Sequence, residues 1–239
     1  MQHLGVEISN LWLEKGVLKM ALGQKKLQKR LAKKAAKRKR SLAEKKKGAG
    51  ASVTKDQLLW AASVAPIHEC LVPREIFDKG IGNVIMSRRM LDGSITASVF
   101  LVDTFCLGVK DCFFTNVPRS KFEERIMSLD QSESLENVTA EYAVKLVENA
   151  VAYARNLGFE PHEDYPRVKK FFGSIDPSIC PTEFEFGKDG KPFFVSGPNE
   201  TEADSRRIIN TLGERLGPDG FHYLVAVNPG EDLGGDGHG

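Results

Sequence analysis

Residues 83–105, NVIMSRRMLDGSITASVFLVDTF, decide the fold. The run Ser94, Ile95, Thr96, Ala97, Ser98, Val99 alternates polar and apolar side chains, the period-two pattern of a half-buried strand. Asp92-Gly93 separates it from the run at 83–90, and Asp-Gly between two such runs marks an antiparallel hairpin. Downstream, CLGVKDCFFTNV (106–117) predicts a further strand after a bend near Gly108. Upstream, IHECLV (67–72) reads as a strand with mixed faces.

Helices flank these strands. Thr54 and Gln57 have capping-box spacing, Leu58, Leu59 and Ala62 follow as an apolar stripe, and Pro66 ends the helix. Residues 119–128 predict a short helix. The clearest helix is 139–156, where Ala143, Leu146, Val147, Ala150, Val151 and Ala154 share one face between Thr139 and Gly158. Asp164 to Phe172 forms a shorter one, with Pro166 in its first turn. EFEFGKDGKPFFV (183–195) reads as a hairpin around Asp189-Gly190. A helix capped by Asn199 or Thr201 then runs to about Arg215, and FHYLVAV (221–227) is a last strand. Hairpins and helices in blocks, rather than alternating βα units, predict an α+β fold. Its core is an antiparallel sheet of hairpins with packed helices, preceded by a basic helical or disordered arm.

The charge balance divides the chain more sharply than its 239 residues and net +2 suggest. Residues 25–47, KKLQKRLAKKAAKRKRSLAEKKK, hold 13 Lys/Arg against the single acid Glu44, a balance of +12. Residues 48–239 hold 19 bases and 29 acids, a balance of −10. The expected organisation is an N-terminal extension (1–24), a basic arm with a Gly/Ala linker (25–52), one α+β body (53–227) and a disordered Gly/Asp-rich tail (228–239). Met20, just ahead of the basic run, is an alternative start. No run of eighteen apolar residues predicts a membrane span, and the first residues lack the pattern of a secretory signal. Four Cys without paired spacing fit reduced thiols, so a cytoplasmic setting is expected.

The arm carries the strongest functional signal. Lys25, Lys26, Lys29, Arg30, Lys33, Lys34, Lys37, Arg38, Lys39, Arg40, Lys45, Lys46 and Lys47 are the bases that would neutralise phosphates. Such contacts release counterions and give affinity without sequence preference. The expected partner is the phosphate backbone of RNA, the ribosome or DNA. A basic segment of this kind also suits an acidic protein partner, which would make the chain a protein-interaction module. It lacks the large apolar face of a membrane-surface helix. Arg88-Arg89, Lys169-Lys170 and Arg206-Arg207 are smaller basic groups, of the kind usually found as solvated surface charge.

A second constellation lies in 68–111. Asp103, Lys110 and Asp111 are charges in an apolar stretch, and burying a charge is costly unless it is paired or metal-bound. Asp103 and Asp111 would hold Mg²⁺, with Glu69 or His68 adding a ligand or base and Lys110 stabilising a developing phosphate charge. That set describes a metal-dependent phosphodiester hydrolase, a nuclease, using Glu69, Asp103 and Asp111. The structural alternative has Asp103 capping a local bend, with Lys110 and Asp111 on an exposed face or turn. His68, Cys70, Cys106 and Cys112 are ligand types for zinc, yet the tight CxxC spacing is missing and Cys in apolar runs is usually core. A P-loop and a GxSxG elbow are both missing, so no resident cofactor is expected other than Mg²⁺ in the hydrolase case.

IHECLV, LVDTFCLGVKD, AVAYARNLGF and FEFGKDGKPFFV together resemble a family of bacterial hypothetical proteins of unassigned activity. The likeness spans roughly 66–227. It implies a bacterial cytosolic source and brings no catalytic residue or cofactor with it.

Overall fold

A computed structural model describes residues 54–197 and 200–225. The extension 1–24, the arm 25–52 and the tail 228–239 lie outside the described residues.

Helix α1 (Lys55–Val64) begins at the expected capping box. Gln57 N–H donates to Thr54 Oγ1 and Thr54 N–H to Gln57 Oε1, at 3.2 and 2.9 Å. Strands β1 (Ile67–Pro73), β2 (Ile81–Arg89), β3 (Ile95–Asp103) and β4 (Gly108–Val117) follow, with a one-turn helix α2 (Ile76–Lys79) between the first two. Helix α3 (Arg119–Glu133) leads into β5 (Leu135–Val138), and α4 (Ala140–Asn156) comes next. The five strands form one antiparallel sheet in the order β4-β3-β2-β1-β5. The architecture is α+β.

The β2–β3 hairpin turns at the residues that predicted it. Met90 N–H donates to Ser94 O, Gly93 adopts φ +80°, and Asp92 Oδ1 accepts from Ser94 N–H at 2.9 Å. Beyond the turn, β3 departs from the half-buried expectation, because it is covered on both faces. Phe100 and Val102 face α1, α4 and the 165–172 segment, in a core with Leu59, Leu146, Val147 and Phe171. Ile95 and Ala97 face the other way, onto Phe122 of α3 with Ile126 and Leu129 beside it. Thr96 and Ser98 share the parity of Phe100 and are fully buried, so the polar half of the alternation points into the larger core.

Gly108 lets β4 start against α4. With φ +66°, a Cβ there would lie 2.7 Å from Ala150 O and 2.8 Å from Ala154 Cβ. Helix α4 buries the expected Ala143, Leu146, Val147, Ala150, Val151 and Ala154. The 164–172 segment is a single turn of helix, α5 (Tyr165–Val168), continued as a 3₁₀ turn (Lys169–Phe172).

The expected 183–195 hairpin is replaced by a different pairing. The turn itself forms: Asp189 and Gly190 have positive φ, and Lys188 and Lys191 exchange backbone hydrogen bonds. The ladder stops there, because the N–H of Phe193 that would continue it is taken by the carbonyl of Phe105. Gly187 N–H instead donates to Thr104 O, and Phe193 N–H to Phe105 O. Strand β6 (Phe193–Val195) pairs in parallel with β7 (His222–Leu224), the crossover being α6 (Glu202–Leu216). Phe194, Ile208, Leu212 and Phe221 form a small core there with Cys106 and Leu157. The predicted strand 221–227 is thus three residues long within the described residues.

Candidate functional site

The sequence-predicted residues fall in three places. His68 and Glu69 lie at the start of β1, where a bulge interrupts the pairing with β2. His68 Nδ1 is 3.4 Å from Arg89 Nη2. The Glu69 backbone exchanges bonds with the Ser87 hydroxyl, which donates to Glu69 O and accepts from Glu69 N–H.

Asp103 is at the opposite end of the sheet. Glu69 pairs opposite Ser87 and Asp103 opposite Ile81, six residues apart along β2. At ~3.3 Å per residue that is a separation of about 20 Å. Asp103 Oδ1 accepts from Phe105 N–H at 2.9 Å and Cys106 N–H at 2.8 Å, so the carboxylate caps the β3–β4 turn. Burial pushes its pKa up to about 6, against the pull of those N–H groups and of the Lys110 charge. Asp103 is therefore the bend cap of the structural alternative.

Lys110 and Asp111 share β4 but point into different surroundings. The register shifts between Leu101 and Val102, leaving Lys110 as the extra residue of a bulge. Bulges re-aim side chains, and this one sends Lys110 Nζ to Glu200 in an ion pair at the start of α6. Glu200 also accepts from Gly197 N–H. Both partners are mostly buried, at 19% and 16% side-chain exposure. Asp111 Oδ1 is 3.8 Å from His162 Nε2. His162 Nδ1 accepts from Asp164 N–H, which assigns the neutral ring proton to Nε2, facing Asp111. Between β4 and α6 lies a cleft of 440 Å³, lined by Leu107, Lys110, Phe159, His162, Glu200 and Arg207.

Glu69, Asp103 and Asp111 are not brought together. Among the described residues, no group of three or more His, Cys, Asp or Glu side chains is placed to hold a metal ion. In the cleft, Lys110 is neutralised by Glu200, so its charge is committed to the fold. The four cysteines are free and buried. Burial pushes the thiols of Cys70 and Cys112 up to about 12 and that of Cys106 higher still, as core residues rather than thiolate ligands.

Four of the six residues in the small basic groups are committed within the fold. Arg88 is buried, while Lys169 pairs with Glu148, Arg206 with Glu202 and Arg207 with Asp204. Sequence reading missed His162 and Glu200. Glu200 precedes the legible cap Thr201-Asp204, but its partner lies ninety residues away and no local signal joins them. Among the described residues, no helix is long and apolar enough to cross a membrane. Comparison with models of protein families, with curated proteins and with solved structures finds no match to this chain.

Proposed function

We propose that the chain holds the phosphate backbone of RNA, of the ribosome or of DNA, without sequence preference, through the thirteen bases of residues 25–47. One observation carries this reading: a balance of +12 is concentrated in 23 residues, while everything after residue 47 is net −10. Segregation of this kind favours a polyanion on the basic segment and repels it from the remainder.

The described residues add support. Of the nineteen Lys and Arg beyond residue 47, nine are in ion pairs with carboxylates and Arg88 is buried. The other nine stand among 29 acids beyond residue 47, so that part of the chain has no cationic excess with which to attract a polyanion. The test is binding to mixed-sequence RNA and duplex DNA by the full chain and by a full chain whose thirteen arm bases are glutamine. Loss of binding in the second supports the proposal, and equal binding removes it. A retained partner that resists nuclease treatment would support an acidic protein instead.

A further inference from the structure

Two adjoining hollows flank the segment Ile179 to Asp189, at 410 and 640 Å³, and share Tyr142 and Thr182. The shared side chains make them neighbouring parts of one groove along that segment. Its floor is aromatic: Phe77 stacks on Phe184 at 5.7 Å between ring centroids, and Tyr142 meets Phe184 edge-on at 5.0 Å. Its rim is acidic. The larger hollow is lined by Asp78, Glu183, Glu185 and Asp189 against one base, Lys188, and Glu141 lines the smaller.

Rim and floor come from one alternating stretch, Glu183-Phe184-Glu185-Phe186, with carboxylates exposed and rings half-buried. Glu183 is paired with Lys145; among the described residues, Asp78, Glu185 and Asp189 have no ion pair. The rings beside the groove already take a cation. Lys188 Nζ lies 5.6 Å from the centre of Phe105 and 5.7 Å from that of Phe193, within cation–π range. The backbone of 182–186 makes no hydrogen bond to another backbone group among the described residues. Among the described residues, its donors and acceptors are left for an added extended chain.

We infer that this groove docks an extended, lysine- or arginine-rich segment of a partner polypeptide. Charge complementarity selects the sign of the partner: three rim carboxylates without an ion pair among the described residues call for several cations in a row. Two adjoining hollows along one segment, whose backbone has no backbone partner among the described residues, select a peptide over a small organic cation. The inference is independent of the arm's proposed role, because it concerns an acidic surface and a basic ligand.

The test uses the full chain with its thirteen arm bases changed to glutamine, so that the arm cannot act as a competing basic ligand. The probe is a fluorescent eight-residue peptide of alternating lysine and glycine, followed by anisotropy at low salt. Three losses of an exposed charge pair predict about tenfold weaker binding for Asp78→Asn, Glu185→Gln, Asp189→Asn combined. Phe184→Leu, which keeps the apolar volume but removes the ring face, is expected to weaken it about threefold. A control triple outside the groove, Glu124→Gln, Glu163→Gln, Glu214→Gln, should change affinity less than twofold, with near-ultraviolet circular dichroism confirming each fold. Failure of the peptide to bind overturns the inference. So does an equal effect of the control triple, which would mean diffuse attraction. Competition by lysine amide at the same concentration as the peptide would identify a small-cation site and likewise overturn it.

Discussion

Arg88 Nη2 donates to the carbonyl oxygen of Phe172 at 2.9 Å, joining residues eighty-four apart in the chain. Nη1 donates to Ala65 O at 2.6 Å, and the guanidinium lies 5.5 Å from the centre of the Phe171 ring. A buried cation is thus held by carbonyls and a ring rather than by a carboxylate. It ties the end of α1 and the 3₁₀ turn to the sheet.

Replacing Arg88 therefore acts on stability. Arg88→Met removes two charge-assisted hydrogen bonds and leaves two carbonyls to find other donors, at a cost of about 2–3 kcal/mol. Arg88→Lys is expected to recover less than half of that, since an ammonium lacks the planar fork that reaches both carbonyls. Urea denaturation checks both. Phosphate-polymer binding should stay unchanged in either variant.

Asp103 makes stability pH-dependent in a defined direction. Burial raises its folded pKa to about 6, above the ordinary aspartate value of about 3.9. The folded state therefore binds the proton more tightly than the unfolded one. Its contribution is fully present below about pH 4 and is lost as pH rises through about 6. Against Asp103→Asn, which cannot ionise, the parent should lose about 2 kcal/mol of relative stability between pH 4.5 and 7.5. A difference between the two proteins that stays flat across that window contradicts the assignment.

The Lys110–Glu200 pair should behave as a structural tie. Lys110→Met leaves a mostly buried carboxylate unpaired and should cost about 2 kcal/mol, less than a fully buried pair would. The double variant Lys110→Met, Glu200→Met should be less destabilised than the two single losses summed, by about 1 kcal/mol. Amide exchange along α6 would report the loosening directly.

The legible parts of the fold were those set by neighbours in sequence. Thr54 with Gln57, Asp92-Gly93 and the apolar face of α4 each act within a few residues, and each is where its pattern placed it. Strand β5 escaped notice because its four residues gain their order from pairing with β1 and from Asp130 Oδ1 accepting Leu135 N–H. The lost hairpin at 183–195 was decided by Thr104 and Phe105, whose carbonyls take the N–H groups of Gly187 and Phe193. The burial of Thr96 and Ser98 was hidden because α1, α4 and the 165–172 segment cover their face of β3, while α3 covers the face of Ile95 and Ala97. In the candidate site, Asp103 as a turn cap was readable, whereas the bulge that sends Lys110 to Glu200 depends on tertiary register.

The central claim is that cationic density in residues 25–47 holds a phosphate polymer. Its most direct measurement is the slope of log K against log salt for duplex DNA. Engagement of roughly 8–10 phosphates predicts a slope of about −7 to −9 for the intact chain and near zero for the arm-neutralised chain. A slope that is the same in both proteins, or binding that ignores salt, would contradict it.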